Sequence, residues 1–186
     1  SPGLAKPVLQ AANAYPDIAP PAPHALHMPS HIFTRLGYWD ESIATNTRSA
    51  DSEPNPSGRF HPFDYMVYAY LQQGRDSEAR AVIEASGTEI VERPGYTLSI
   101  VSYNHGAMPA RYALERGSWA EAPALRVPAA EPTARSYPHA VTYFARAIGA
   151  ARSGAAAAAR RDIAELETIE RTLLSQGDAY WAGVVK

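Results

Sequence analysis

The stretch that decides the fold is His24-Ala25-Leu26-His27-Met28-Pro29-Ser30-His31-Ile32-Phe33-Thr34-Arg35-Leu36-Gly37-Tyr38-Trp39-Asp40-Glu41-Ser42. Its second half returns eighty residues later as Met108-Pro109-Ala110-Arg111-Tyr112-Ala113-Leu114-Glu115-Arg116-Gly117-Ser118-Trp119-Ala120-Glu121-Ala122. Met, Pro, Gly, Trp and Glu recur in register, at 28/108, 29/109, 37/117, 39/119 and 41/121. A glycine that ends one apolar helical segment and is followed, after one residue, by Trp-x-Glu reads as a tight helix–turn–helix. The duplication speaks to architecture. The three histidines, present only in the first copy, carry the hint of chemistry.

Four turn glycines, Gly37, Gly74, Gly117 and Gly154, stand 37, 43 and 37 residues apart, each between two apolar helical segments. No stretch has the period-2 alternation of a strand. Repeats of this length, with two helices each, predict an all-α fold, an α-solenoid of antiparallel helix pairs. About four repeats are expected, over approximately 22–54, 60–88, 97–126 and 139–176, with partial helices at 4–14 and 178–186, all within a single domain over 1–186. Pro16, Pro20, Pro21 and Pro23 force the first turn. Residues 51–60 are a loop by composition, and residues 88–96 are a longer connection. Ser118-x-x-Glu121 reads as a capping box that opens a helix, after which Pro123, Pro128, Pro132 and Pro138 interrupt the pattern. Glu167 and Arg171 are spaced for an ion pair on the last long helix. Both ends read as cut, so the chain is expected to be a piece of a longer protein.

With ordinary apolar content and a net charge of −2, nothing forecasts binding to nucleic acid or an anionic membrane. No apolar run approaches membrane-spanning length and no signal peptide is visible, so a soluble protein is expected. Without cysteine there is neither a disulfide nor a thiolate metal site.

The segments Gly37-Tyr38-Trp39-Asp40-Glu41-Ser42-Ile43, Gly74-Arg75-Asp76-Ser77-Glu78-Ala79 and Gly117-Ser118-Trp119-Ala120-Glu121-Ala122 resemble the turn and second-helix start of a tetratricopeptide repeat, and Pro54 matches its closing proline. The first helices depart from that pattern: Leu26 and Pro29-Ser30 fill the Trp and Leu-Gly positions of repeat one. More narrowly, His24-x-x-His27-Met28-Pro29-Ser30-His31-Ile32-Phe33-x-Arg35-x-Gly37, followed by Asp64-Tyr65-Met66-Val67-Tyr68-Ala69-Tyr70-Leu71-Gln72, resembles a group of bacterial tetratricopeptide-repeat proteins of unknown function. The resemblance covers nearly the whole chain. It implies a right-handed helical array and a bacterial origin, and brings no activity with it.

In a tetratricopeptide pair the first helix lines the concave groove. Alignment on the turn glycines puts His24, His27, His31, Thr34 and Arg35 of repeat one there, with His61, Asp64, Tyr68 and Gln72 of repeat two. Repeat three adds Asn104, Ala107 and Arg111, and repeat four the apolar Val141, Phe144 and Ile148. The implied function is a binding module for a peptide, a protein or a small polar ligand, held by His24, His27, His31, Arg35, His61, Asp64, Tyr68, Asn104 and Arg111.

A second reading comes from spacing alone. Steps of three and four residues gather His24, His27 and His31 within about one helical face. Neutral imidazole ligates zinc, copper and nickel, and His61 or Asp64 on the neighbouring helix could complete a site. The protein would then bind metal, with metal-dependent hydrolysis within reach. The H-E-x-x-H motif is absent, as are G-x-S-x-G and any phosphate-cradling or dinucleotide glycine loop, so no catalytic residue is assigned and an enzyme is not the expectation. In a third reading the chain is a purely structural stacking segment and the histidines are packing residues. Pro29 leaves two geometries open. Either a helix begins at Met28-Pro29 with His24 and His27 ahead of it, or a longer helix from Pro23 is kinked there. His105, His139, Trp39, Trp119, Tyr65 and Tyr70 read as structural. Arg35 reads as a surface ion pair, and Arg111 is divided between that and a ligand clamp.

Overall fold

The computed structural model describes residues 3, 6–19, 22–87, 98–128 and 137–186. The first two residues of the 4–14 segment, the 88–96 connection and Pro132 lie outside them. Among the described residues every regular element is helical. The α-helices are α1 (Leu9–Ala14), α2 (Pro23–His27), α3 (Ser30–Leu36), α4 (Trp39–Ser52), α5 (Phe60–Gln72), α6 (Asp76–Ser86), α7 (Leu98–Glu115), α8 (Tyr137–Arg152), α9 (Ala156–Ser175) and α10 (Ala179–Val185). The chain divides into two compact units, Ser1–Arg93 and Pro94–Lys186. No described helix is long and apolar enough to cross a membrane.

In the first unit neighbouring helices pack in sequence: α2 and α3 on α4, α4 on α5, and α5 on α6. Leu26, Phe33, Phe60, Val67 and Ala69 form its apolar centre. The inward face of α4 is different. Ser42, Thr45, Asn46 and Ser49 recur at three- and four-residue steps and are all buried. Small polar side chains let α4 approach α2 and α3 closely and satisfy each other's polar atoms. Ser49 donates to the Pro23 carbonyl at 2.7 Å, and the Thr34 and Ser42 hydroxyls meet at 3.1 Å.

The structure is nearer the second of the two geometries: a helix begins at Pro23, contains His24 and His27, and is interrupted at Pro29. Met28 and Pro29 keep right-handed helical dihedrals, but Pro29 has no N–H to donate, so the hydrogen-bonded run splits into α2 and α3. Its counterpart Pro109 lies inside the unbroken α7. Gly37 and Gly117 both have positive φ, 77° and 63°, and each indole two residues on packs beneath its glycine. The repeated Gly-x-Trp is thus one local structure used twice.

In the second unit α7 packs on α8, α8 on α9, and α10 on α8 and α9. Its core cluster is Tyr137, Ala140, Ile169, Leu173 and Ala182. Tyr137 and Trp181 stack with ring centroids 3.9 Å apart. Arg146 reaches from α8 to the buried Asp162 of α9 at 3.1 Å. Glu167 and Arg171 approach only to 4.0 Å on the solvent side.

The Ser118-x-x-Glu121 signal does not open a full helix. It leads into a turn and a single 3₁₀ turn, Ala122–Ala124. Pro123 lies in that turn and Pro128 follows it, and proline removes the donors a longer helix would need. The short segment instead packs against α8 at Gly149. A Cβ at Gly149 would collide with the Ala122 Cβ and lie 2.9 Å from the Trp119 carbonyl oxygen. The substitution Gly149→Ala is therefore expected to lower the unfolding free energy by about 1–3 kcal/mol, the usual cost of overpacking. Urea denaturation measures it, and an unchanged midpoint would show that the segment can move aside.

Candidate metal centre

Three helices of the first unit each send one imidazole to a common point: His27 at the end of α2, His31 in the first turn of α3, and His61 in the first turn of α5. The first two meet because residues four apart share a helical face, and the chain keeps helical dihedrals across the Pro29 break. His61 arrives because the 53–60 loop is tightly organised. Asn55 Oδ1 accepts the Ser57 N–H at 2.9 Å, and Arg59 Nε donates to the Glu53 carbonyl at 3.1 Å. α5 then starts at Phe60, whose side chain is buried.

One ligating nitrogen from each of His27, His31 and His61 lies within 4.8 Å of the other two. The ring centroids of His27 and His61 are 4.3 Å apart, and those of His27 and His31 are 4.8 Å apart. The Nε2 atoms of His27 and His31 face each other at 3.1 Å. The nitrogens pointing away from that contact have partners of their own. His27 Nδ1 lies 2.6 Å from Asn46 Oδ1, and His31 Nδ1 lies 2.7 Å from the Tyr65 hydroxyl. Ser30 Oγ stands further from His27 Nδ1, at 3.4 Å.

The direction of these hydrogen bonds follows from one fixed end. Asn46 Nδ2 donates to the Ser42 carbonyl at 2.7 Å, so its Oδ1 faces His27 as an acceptor. His27 must then carry its proton on Nδ1, which leaves its Nε2 with a lone pair. The 3.1 Å contact requires His31 to donate from Nε2, and His31 Nδ1 in turn accepts from Tyr65 O–H. A single ordered chain runs from Tyr65 through His31 and His27 to Asn46 and ends on the Ser42 backbone.

Both imidazoles are held neutral. Burial, followed by the neighbouring His61, pushes His27 down to about 3. Burial and the same neighbour also lower His31. His27 is 1% exposed, whereas His31 and His61 are half-buried, so the cluster is reached from the His31–His61 side.

The other expected site residues fall elsewhere. His24 is exposed, with its ring centroid 6.1 Å from that of His27, and neither it nor Asp64 belongs to the converging group. Asp64 is buried one turn beyond His61. Arg35 is exposed. Tyr68 rests edge-on against Trp39, at 5.7 Å. Asn104 and Arg111 belong to the second unit, where Asn104 is buried and donates to the Ile100 carbonyl of its own helix. Val141 and Phe144 line an apolar cavity of about 240 Å³ in that unit, with Tyr103, Leu166 and Trp181.

Sequence reasoning did not anticipate Asn46 or the role of Tyr65. Asn46 had a readable signal, since it sits mid-helix among Ser42, Thr45 and Ser49 on one polar stripe. Tyr65 is one turn beyond His61 on α5, a spacing that also admits the core position expected for it.

No family model, curated protein or solved structure matches the chain. The described residues themselves define the class: an all-helical chain with a cluster of three histidines at the meeting of three helices.

Proposed function

We propose that this protein binds a divalent transition metal, of the zinc, copper or nickel type, through His27, His31 and His61. The observation that carries the reading is the 3.1 Å approach of two imidazole nitrogens whose outer nitrogens are each held by a separate partner. Two nitrogens sharing one tetrahedral zinc at about 2.0–2.1 Å lie roughly 3.3 Å apart. Metal-ligating histidines characteristically engage their second nitrogen with an orienting oxygen. Asn46 Oδ1 and Tyr65 Oη stand where those oxygens belong. The His61 nitrogen lies within 4.8 Å of the other two, so a small inward movement brings the third ligand to bonding distance.

Three protein ligands leave one coordination position for water or an exogenous ligand, the pattern of exchangeable rather than purely structural sites. That position is where the polar-ligand reading and the metal reading coincide. For the fold we propose the finer description as well, a tetratricopeptide-like stack of antiparallel helix pairs. Its support is the positive-φ glycine between successive helices at Gly37, Gly74 and Gly154.

The test is elemental analysis of untagged protein, followed by calorimetric titration of the metal-free form with zinc, copper and nickel. One equivalent of at least one metal is the expected result. No bound metal and no heat with any of the three would end the reading and leave the histidines as packing residues.

A further inference from the structure

We infer that metal entry inverts the tautomer of His31, with Tyr65 turning from hydrogen-bond donor to acceptor. This rests on the metal reading above and adds how the site is switched.

The argument follows the proton between the two Nε2 atoms. Without a metal between them, the 3.1 Å contact requires His31 to hold it and donate it to His27, because Asn46 accepts the Nδ1 proton of His27. That proton occupies the place a metal would take. A metal needs both Nε2 lone pairs, so His31 must give up its Nε2 proton. His27 has no free nitrogen to accept it.

The balance closes on His31 itself. The Nε2–H bond is lost and an Nδ1–H bond is gained, so the ring stays neutral and no net proton is released. The new Nδ1–H points at the Tyr65 oxygen 2.7 Å away, which accepts it once the hydroxyl hydrogen rotates about its C–O bond. A hydroxyl serves both states by rotation of its hydrogen alone, since it carries a donor and two lone pairs. A carbonyl could accept only, and an ammonium could donate only. Tyr65 is well fixed for the task. Its ring stands edge-on to all three imidazoles, with centroid distances of 4.9, 5.0 and 5.4 Å to His27, His31 and His61. Tyr65 is therefore a positioning residue that acts on the metal through His31.

The experiment reads imidazole tautomers by long-range 1H–15N correlation NMR, before and after one equivalent of zinc. His31 is expected as Nε2–H in the metal-free protein and as Nδ1–H with zinc, while His27 remains Nδ1–H throughout. In Tyr65→Phe the zinc affinity is expected to fall about tenfold, the low end of losses from an outer hydrogen-bond partner, and the metal-free preference of His31 for Nε2–H should weaken. Zinc binding to a protein in which His31 is already Nδ1–H would overturn the switch and leave the metal reading standing. Failure of the wild-type protein to bind zinc, copper or nickel would overturn both. The wild-type spectra decide the matter even if Tyr65→Phe does not fold.

Discussion

Zinc affinity is expected to fall by more than about a hundredfold in the His27→Ala, His31→Ala variant, because even outer-sphere changes cost about 10–100-fold and this variant removes two of three direct ligands. Competition against a chromophoric chelator measures it. His27 is almost fully buried, so its loss also opens a cavity, and a fall in affinity could follow from a loosened fold. Two further variants separate these effects. His61→Ala removes a ligand that is only half-buried and should reproduce the large loss. His24→Ala changes an exposed imidazole outside the converging group and should alter affinity by no more than about twofold, the range of surface substitutions. Equal losses in His24→Ala and His61→Ala would place the metal somewhere else.

The metal-free protein is expected to be acid-sensitive well above the carboxylate range. In the unfolded chain His27 takes up its proton near 6.5, whereas in the fold it does so only at about 3. Between those values the unfolded state binds a proton that the folded state does not. Stability therefore falls as the pH drops through 6.5, and continues to fall towards 3. At about 1.4 kcal/mol per pH unit, His27 alone costs about 2 kcal/mol by pH 5. His31 is lowered in the same direction and adds to the loss. Urea unfolding at pH 7.5 and pH 5 checks this. In His27→Gln, which cannot titrate, the difference between the two pH values should shrink by most of that amount. An undiminished difference would assign the acid sensitivity to other groups. Zinc should raise the stability of the wild type at pH 7.5, because a ligand that binds only the folded state stabilises it. It should not remove the acid sensitivity, since metal-bound imidazoles stay unprotonated in the fold while the unfolded chain still takes up protons.

Much of the helical layout was legible in the chain. The αL glycines, the paired Gly-x-Trp turns and the start of α6 at Asp76 all follow from backbone preferences within a few residues. The His27–His31 pair was legible for the same reason, since four residues on a helix is a fixed distance. The exception in the local layout is Ser118–Ala124. There the capping signal was correct in kind, but Pro123 and the close approach of Gly149 left room for a single turn only.

By itself, then, the sequence determined that the chain is helical, where most helices turn, and that two histidines share a face. These are short-range properties of dihedral preference and helical period. Only the tertiary structure decided that His61 would join those two and His24 would not. It also decided that Asn46 and Tyr65 would hold the outer nitrogens and that His27 would be buried deeply enough to stay neutral. Each of those outcomes joins residues 19 to 34 positions apart, or depends on how much water the packed helices exclude. Periodicity within one helix carries no information about the rotation and depth at which the next helix docks against it. That docking sets both the convergence of the imidazoles and their charge.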